Sequence, residues 1–310
     1  GDEEEGTGAF EVLDMLAEHL LASHAVPGES RTFFKAVQRE HKLLRSSLPP
    51  GILVRASEAR MDLLRAVILG PSKTPYEDGV FVFDIHLPPE YPFVPPSVLF
   101  HSFGDRLNPN LYNNGKVCLS LLGTWVAGDG VEAWNPAASN LLQVLVSVQA
   151  LILVPEPYYN EAGYEKQVGT HEGKHKSRQY SESTLLLVLK HMETSVRHPV
   201  AAWEALTRAH FVSRGPEVLA RCRRILQEAK DESASAAAAE QLPGGASTSS
   251  GGAPAAGGGA GGGAAGNSGE SDAPGWADRS VPERASKGFI RSLNNLLPRL
   301  EKTFKTLGVE

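Results

Sequence analysis

Cysteine is scarce in this sequence: the chain has 310 residues and two cysteines, Cys118 and Cys222. Two cysteines cannot form the disulfide framework of a small secreted domain, so we expect a reducing compartment, the cytoplasm or the nucleus. The two are far apart and the histidines are scattered, which does not match the ligand spacing of a zinc site. We therefore predict no bound metal.

Long apolar runs and an excess of basic charge are also missing. The most apolar segment, residues 141–154, is too short to cross a bilayer and contains Gln143 and Gln149, so it predicts a buried helix. The formal net charge of −6 gives no reason to expect nucleic acid or an anionic membrane as a partner. The chain begins with glycine, which a fragment of a longer protein or a processed terminus would both explain.

Charge and composition divide the chain into four segments. Residues 1–30 form an acidic leader with eight acidic and no basic residues, and its apolar spacing predicts a short amphipathic helix. Residues 31–230 have the mixed composition of a folded domain. Residues 231–285 are mostly Gly, Ala and Ser and predict a disordered linker, because these side chains cannot offset chain entropy. Residues 286–310 predict an amphipathic C-terminal helix.

The C-terminal segment repeats apolar residues at helical spacing, with basic residues between them. Pro298 lies in the middle of this pattern and predicts a kink or a break. A helix of this length is marginal by itself in water. We therefore expect it to dock onto a partner or to fold back onto the domain.

The order of elements within residues 31–230 indicates an α+β domain. An N-terminal helix is predicted at 32–46, strands at 52–56, 61–69, 80–87 and 97–100, a long loop at 101–135, and helices at 137–153, 182–191, 200–211 and 216–228. The turn at 75–79 joins consecutive strands, which favours a four-stranded antiparallel meander. On the third strand Phe81 and Phe83 face one way, and Asp84 and His86 face the other.

The long loop contains several Asn residues and Gly115, which allow left-handed backbone and tight turns, and loops of this length in compact domains are usually functional. Cys118 follows the turn at Gly115, where its thiol could reach solvent. A lone free cysteine is most often a small buried side chain. A cysteine protease would need a histidine base and an orienting residue, and His101 has no such support.

Five motifs, in order and at compatible spacings, resemble those of ubiquitin-conjugating enzymes. They are Pro75-Tyr76-Glu77-Asp78-Gly79-Val80-Phe81, Tyr91-Pro92-Phe93-Val94-Pro95-Pro96, Asn108-Pro109-Asn110, Gly115-Lys116-Val117-Cys118-Leu119 and Trp134-Asn135-Pro136. The resemblance covers Phe33 to about Asn160. It implies the ubiquitin-conjugating (UBC-like) fold: an N-terminal helix, an antiparallel meander, a long active-site loop and then helices.

Further segments are similar to the large O-type enzymes of this family, which combine conjugating enzyme and ligase in one chain. They are Leu121-Leu122-Gly123-Thr124-Trp125, Glu156-Pro157-Tyr158-Tyr159-Asn160-Glu161 and Ser286-Lys287-Gly288-Phe289-Ile290. In that group the catalytic domain lies near the C-terminus of a much longer chain. The resemblance therefore implies a C-terminal fragment.

The resemblance implies that Cys118 is the nucleophile that carries ubiquitin as a thioester before transfer to a substrate lysine. The implied partners are ubiquitin, the ubiquitin-activating enzyme, protein substrates, and a RING-type ligase or a ligase region of the same chain. No cofactor is implied, since ATP is used by the activating enzyme. Asn110 inherits the family role of holding an oxyanion or bracing the loop.

Three departures from the family pattern concern the site. Asn108 stands where the family has a histidine, so the hydrogen bonds of the loop must differ. Residues 125–133 are an insertion beside the cysteine, which could be a flap, an acidic contact or a plain solvated loop. The acidic residue that helps deprotonate the acceptor lysine has no clean counterpart. Glu161 is the candidate, against the alternative of an exposed glutamate without a role.

Partner surfaces follow more weakly from the resemblance. Lys35, Arg39 and Lys42 on the first helix match the contact for the activating enzyme, or form an ordinary solvated basic face. Phe93 matches the bend that touches RING-type ligases. Two other functions stay open: an inactive scaffold of the same fold, against which the presence of Cys118 weighs, and a conjugating enzyme for another small modifier.

Overall fold

A computed structural model of the chain describes residues 8–28, 30–125, 133–240 and 285–309, with the side chains of 232–240 left out. A five-stranded sheet forms its centre in the order β1-β2-β3-β4-β5. The strands are β1 (Phe10–Leu13), β2 (Ile52–Ser57), β3 (Leu63–Leu69), β4 (Val80–His86) and β5 (Ser97–Phe100). Strands β2 to β5 pair antiparallel in sequence order, which confirms the α+β fold and the meander.

The leader contributes a strand, so the amphipathic helix predicted within residues 1–30 is wrong for its described part. Strand β1 pairs parallel to β2, with Phe10 opposite Val54. Phe10, Leu16 and Leu21 are buried, which explains the apolar spacing. The edge of β2 offers unpaired backbone groups, and β1 satisfies them. That partner lies about forty residues away and is invisible to local periodicity.

Both faces of β4 are covered. Phe81 contacts His191 of a long C-terminal helix on one face, with ring centroids 5.4 Å apart. On the other face the Leu20 amide donates to Asp84 Oδ2 over 2.7 Å, and the Ala25 carbonyl lies 3.1 Å from His86 Nε2. The two faces predicted for this strand are confirmed, and the leader is what covers the polar one.

Five α-helices accompany the sheet in the described ranges: α1 (Arg31–Ser47), α2 (Leu141–Ser147), α3 (His171–Arg197), α4 (Glu204–Glu240) and α5 (Lys287–Lys305). Side chains cap four of them, since Ser30, Asn140, Thr170 and Ser286 accept from backbone amides of the first turn. Helix α2 continues as a π-helical turn, Val148–Ile152. Single 3₁₀ turns occupy Ser120–Leu122, Pro157–Asn160 and Tyr164–Gln167.

Helix α4 corrects two boundaries. It runs through Pro216 as one helix, whereas separate helices were predicted on either side of residues 212–215. An interior proline costs roughly 3 kcal/mol, and tertiary packing offsets that cost: Val218 is buried and Phe211 stacks on Phe304 at 5.3 Å. The helix also extends to Glu240, so the first ten residues of the predicted linker are helical. Residues 241–284 of that linker lie outside the described part of the chain.

Helix α5 folds back onto the domain, one of the two expected arrangements. Its apolar face joins the common core through Phe289, Leu293, Leu296, Leu297, Leu300 and Phe304. The Ser286 amide donates to Glu182 Oε1 on α3 over 3.0 Å, and Arg299 Nη2 donates to Glu193 Oε2 over 2.9 Å. Pro298 does not break the helix. The folded unit therefore extends beyond the predicted limits of 31–230, into the leader and the C-terminal segment.

Buried histidines predict that the domain loses stability in mild acid. His191 lies between Phe81 and Phe100, and burial lowers its pKa to about 4 from an ordinary value of 6.5. Burial also lowers the pKa of His19, His41, His86 and His210. Between pH 6.5 and 4 the unfolded chain binds protons that the folded chain does not. As the pH falls, the unfolding free energy should decrease by about 1.4 kcal/mol per pH unit for each proton that only the unfolded chain binds.

Urea unfolding from pH 7.5 to pH 4.5 measures this dependence. The variant His191→Phe keeps a ring between Phe81 and Phe100 but cannot be protonated, so its pH dependence should be shallower than that of the wild type. A wild-type stability that stays constant over this range contradicts the prediction.

Candidate active site

Cys118 lies on a short irregular hairpin. The Cys118 amide donates to the Asn110 carbonyl over 2.9 Å, and the Tyr112 amide donates to the Lys116 carbonyl over 3.0 Å. Between them Leu111 pairs with Val117, and both are fully buried. Side chains alternate across such a hairpin, so Asn110, Tyr112 and Cys118 share the opposite face from the buried pair.

Gly115 makes the turn of this hairpin. Its φ is +86°, and a Cβ there would lie 2.8 Å from the Phe100 carbonyl oxygen, so glycine is required on both grounds. The Phe100 amide donates to the Gly115 carbonyl over 2.8 Å. The hairpin is thereby fixed against β5, and the thiol is carried by a segment anchored to the sheet.

Asn108 is buried and holds the loop from inside. Its Nδ2 donates to the Tyr76 hydroxyl over 2.7 Å and to the Ile152 carbonyl over 2.8 Å, and its Oδ1 accepts from the Asn110 amide over 2.8 Å. The Tyr76 hydroxyl donates onward to the Leu107 carbonyl over 3.1 Å. An asparagine thus bridges the β3–β4 turn, the loop and the end of the α2 segment.

Asn110 braces the backbone of the cysteine itself. Its Nδ2 donates to the Cys118 carbonyl over 2.9 Å, while Oδ1 is buried and has no hydrogen-bond partner. An amide nitrogen carries two hydrogens, so one donor remains beyond the Cys118 bond. This geometry fits a role of Asn110 in bracing the loop, and it leaves the second N–H of its Nδ2 available beside Cys118.

Cys118 is 2% exposed, so the expected access of its thiol to solvent is wrong for this conformation. After the cysteine, Thr124 Oγ1 donates to the Val117 carbonyl over 2.7 Å and accepts from the Leu119 amide over 3.0 Å. The chain closes tightly around the residue on this side. Residues 126–132, most of the predicted insertion, lie outside the described residues.

The Tyr112 side chain lies on the same face of the hairpin as Cys118, diagonally across the two segments. Burial, followed by the charge of the adjacent sulfur, raises the pKa of Tyr112 above its usual value. The sequence reasoning missed this residue. Its position, on the same face of the hairpin as the cysteine, was the signal that could have found it.

Glu161 does not lie free beside the cysteine. Its Oε2 accepts from Arg106 Nη2 over 3.3 Å, and the same guanidinium lies over the ring of Tyr112, with its carbon 4.4 Å from the centroid. Glu161 is thus connected to the Tyr112 ring through Arg106. Arg106 was not among the predicted site residues, and it is 55 positions from Glu161 in the sequence.

The predicted partner residues are exposed. Lys35, Arg39 and Lys42 follow one another on the outer face of α1, beside the 38% exposed Phe34. Phe93 is 66% exposed. Its bend is fixed from behind, since the Tyr91 hydroxyl donates to Glu40 Oε1 over 2.5 Å and the Trp134 ring nitrogen donates to the Pro92 carbonyl over 2.8 Å.

The other cysteine has a different setting. Cys222 is buried in α4, and burial raises the pKa of its thiol to about 11. Among the described residues, no three His, Cys, Asp or Glu side chains are placed to hold a metal ion. None of the described helices is both long and apolar enough to cross a membrane.

Comparison with known proteins indicates the same family as the sequence motifs. A family model described as ubiquitin-conjugating enzyme matches residues 36–186. The probable ubiquitin-conjugating enzyme E2 23 of Arabidopsis thaliana is 54% identical over 209 residues, which are 67% of this chain and 19% of that protein. The putative ubiquitin-conjugating enzyme E2 39 of the same plant is 45% identical over 224 residues, 69% of this chain and 68% of that protein.

The name of a third relative describes both a conjugating enzyme and a ligase. The human dual E2 ubiquitin-conjugating enzyme/E3 ubiquitin-protein ligase BIRC6 is 41% identical over 208 residues, 64% of this chain and 4% of that protein. The matched region thus spans about a fifth of the first relative and a small fraction of the human one. The family match over residues 36–186 contains strands β2 to β5, the hairpin and helix α2. The chain belongs to the ubiquitin-conjugating enzyme family.

Proposed function

We propose that this chain is a ubiquitin transferase, which accepts ubiquitin as a thioester on Cys118 and transfers it to lysines of protein substrates. The observation that carries the proposal is the anchored hairpin, on which Cys118 shares a face with Tyr112 and is braced by Asn110. The printed names of the relatives support the same class of reaction.

In the first step the Cys118 thiolate attacks the ubiquitin thioester on the activating enzyme. A new C–S bond forms, the old one breaks, and the cysteine of the activating enzyme leaves as a thiolate. Nucleophile and leaving group are alike, so the step needs little acid–base assistance. ATP is consumed earlier by the activating enzyme, and we propose no cofactor for this chain. The exposed basic face of α1 at Lys35, Arg39 and Lys42 is the proposed contact for that enzyme.

In the second step a lysine amine attacks the thioester carbonyl and passes through a tetrahedral oxyanion. Asn110 is the proposed donor to that oxygen, and bracing the loop is its second proposed role. Asn108 supports Asn110 by accepting a hydrogen bond from its backbone amide. Removing one donor to an oxyanion typically costs about a hundredfold or more in rate. Glu161 accepts a hydrogen bond from Arg106, and its proposed role in the site is to hold that arginine in place.

We further propose that the chain is the catalytic part of a larger hybrid conjugating enzyme and ligase, active in the cytoplasm or the nucleus. The support is the similarity to the human relative with the double name and the O-type segments, including the Ser286–Ile290 stretch that begins α5. In such an enzyme the surface at Phe93 contacts a ligase region of its own chain or a RING-type ligase.

One experiment in two stages tests both proposals. The protein is mixed with ubiquitin, activating enzyme and ATP, and an adduct that disappears on reduction is expected on a non-reducing gel. The loaded protein is then given lysine-bearing proteins without any added ligase, and ubiquitin should move to their lysines. No adduct with ubiquitin indicates the inactive scaffold, an adduct only with another modifier indicates the other enzyme class, and loading without transfer contradicts the hybrid proposal.

A further inference from the structure

The ring of Tyr112 lies between two cations. The guanidinium carbon of Arg106 is 4.4 Å from the ring centroid, and Lys116 Nζ is 5.8 Å from it. The backbone of Tyr112 is fixed in the hairpin at both its amide and its carbonyl. The position of the hydroxyl therefore depends on the side-chain torsions, which a group stacked on the ring can restrict.

Arg106 is itself held in place. Its Nη2 donates to the Pro109 carbonyl over 2.8 Å and to Glu161 Oε2 over 3.3 Å. The first bond ties Arg106 to the Asn108–Asn110 segment, and the second ties it to the end of the 3₁₀ turn at Pro157–Asn160. A planar guanidinium can make these bonds and stack on a ring at the same time, which a lysine ammonium cannot do.

We propose that Arg106 is a positioning residue for the transfer reaction: it holds the ring of Tyr112 on the hairpin face that carries Cys118, from which the hydroxyl reaches the sulfur during transfer. The inference rests on the proposed thioester function. When the lysine nitrogen attacks, an N–C bond forms, the C–S bond breaks, the electron pair of that bond remains on sulfur and the amine proton passes to solvent. The Tyr112 hydroxyl donates a hydrogen bond to the sulfur as it becomes negative.

This arrangement assigns a role to Glu161 as well. The carboxylate is occupied by Arg106 and acts through it, instead of taking the proton of the acceptor lysine. The Pro109 carbonyl is the second anchor of Arg106 and remains when Glu161 is replaced. Glu161→Gln is therefore expected to have a weaker effect than Arg106→Gln.

The chain provides a matched control for Arg106. The guanidinium carbon of Arg55 lies 4.3 Å from the ring centroid of Trp203, and Arg55 Nε donates to Glu11 Oε2 over 2.9 Å. The same combination of ring stacking and carboxylate pairing thus occurs between the leader strand and the start of α4. Arg55→Gln removes such a pair without touching the residues around Cys118.

The test is a single-turnover chase with the full chain. Wild type, Tyr112→Phe, Arg106→Gln, the double variant and Arg55→Gln are loaded with ubiquitin, the activating enzyme is stopped by removing Mg²⁺, and free lysine is added at several concentrations. Loss of one hydrogen bond to a charged atom corresponds to roughly tenfold in rate. Each site variant should lower the maximal discharge rate roughly tenfold while the half-saturating lysine concentration stays unchanged.

Non-additivity separates positioning from a general structural effect. Because Arg106 acts through the Tyr112 hydroxyl, the double variant should be no slower than Tyr112→Phe alone. Arg55→Gln should discharge at the wild-type rate, and melting temperatures check that all variants are folded. Should Arg106→Gln be unfolded, Arg106→Lys, which keeps the charge but not the fork, takes its place and should also discharge more slowly than wild type.

The outcomes distinguish the inference from the function on which it rests. If the wild type loads and discharges but Arg106→Gln discharges equally fast, or if the two site variants multiply in the double variant, the positioning role is wrong and the transferase function stands. If the wild type forms no thioester, the proposed function is wrong and the inference fails with it.

Discussion

Replacement of Cys118 by alanine is expected to abolish the reducible ubiquitin adduct, whereas Cys222→Ser should retain it. Burial does not distinguish the two residues, since they are 2% and 1% exposed. Their neighbours do. Cys222 lies among apolar side chains of α4, where burial raises its pKa to about 11 and leaves almost no thiolate near neutral pH. Cys118 lies on the hairpin, on the face that also carries Tyr112.

Serine at position 118 adds a chemical check. A serine hydroxyl can be acylated to an oxygen ester, which a thiol reductant does not cleave as readily as a thioester. Cys118→Ser is therefore expected to give an adduct that survives reduction, and Cys118→Ala is expected to give none. The gel compares all three variants with and without reductant. Retention of a reducible adduct in Cys118→Ala would place the nucleophile elsewhere and remove the basis of the proposed mechanism.

Replacement of Arg65 by methionine is expected to destabilise the whole domain by about 3–5 kcal/mol, because it leaves a buried carboxylate without its main partner. Arg65 Nε donates to Asp84 Oδ1 over 2.5 Å and Nη2 to Oδ2 over 3.0 Å, and both side chains are fully buried. The remaining donors of Arg65 reach carbonyls of the leader and of Ala201, between α3 and α4. One side chain thus joins the sheet, the leader and the C-terminal helices.

Two further variants make this prediction specific. Arg65→Met combined with Asp84→Leu removes both charges, and it should be more stable than Arg65→Met alone. Arg223→Met breaks a surface pair with Glu301, 2.7 Å long, and should cost less than about 1 kcal/mol. Denaturant unfolding measures all three. An Arg65→Met variant as stable as Arg223→Met would show that the buried pair does not hold the leader and the sheet together.

The local sequence was sufficient for the strands of the meander and for the turn that precedes Cys118. Alternation at Phe81, Phe83 and Ile85 marks β4 because side chains on a strand point to opposite faces. Gly115 marks the hairpin turn because its backbone conformation and the nearby Phe100 carbonyl both require glycine. Strand alternation and the positive φ of Gly115 are local properties, so a single sequence displays them, whereas the Phe100 contact becomes visible only in the fold.

The helix boundaries were less predictable because packing, and not propensity, sets them. Pro216 and Pro298 each lie inside a continuous helix, although proline removes a hydrogen bond and crowds the preceding turn. The shared contact between Phe211 and Phe304 joins these two helices across a segment that sequence reasoning treated as a separator. A propensity argument applied to either helix alone cannot include that contact.

The sequence by itself determined the family, the meander, the turn at Gly115 and the identity of the candidate nucleophile. The tertiary structure alone decided that the leader is a strand of the sheet, that the C-terminal helix belongs to the core, and that Glu161 pairs with Arg106. The physical reason is the same in each case. These contacts join residues from about forty to more than a hundred positions apart, and their geometry exists only once the intervening chain has folded.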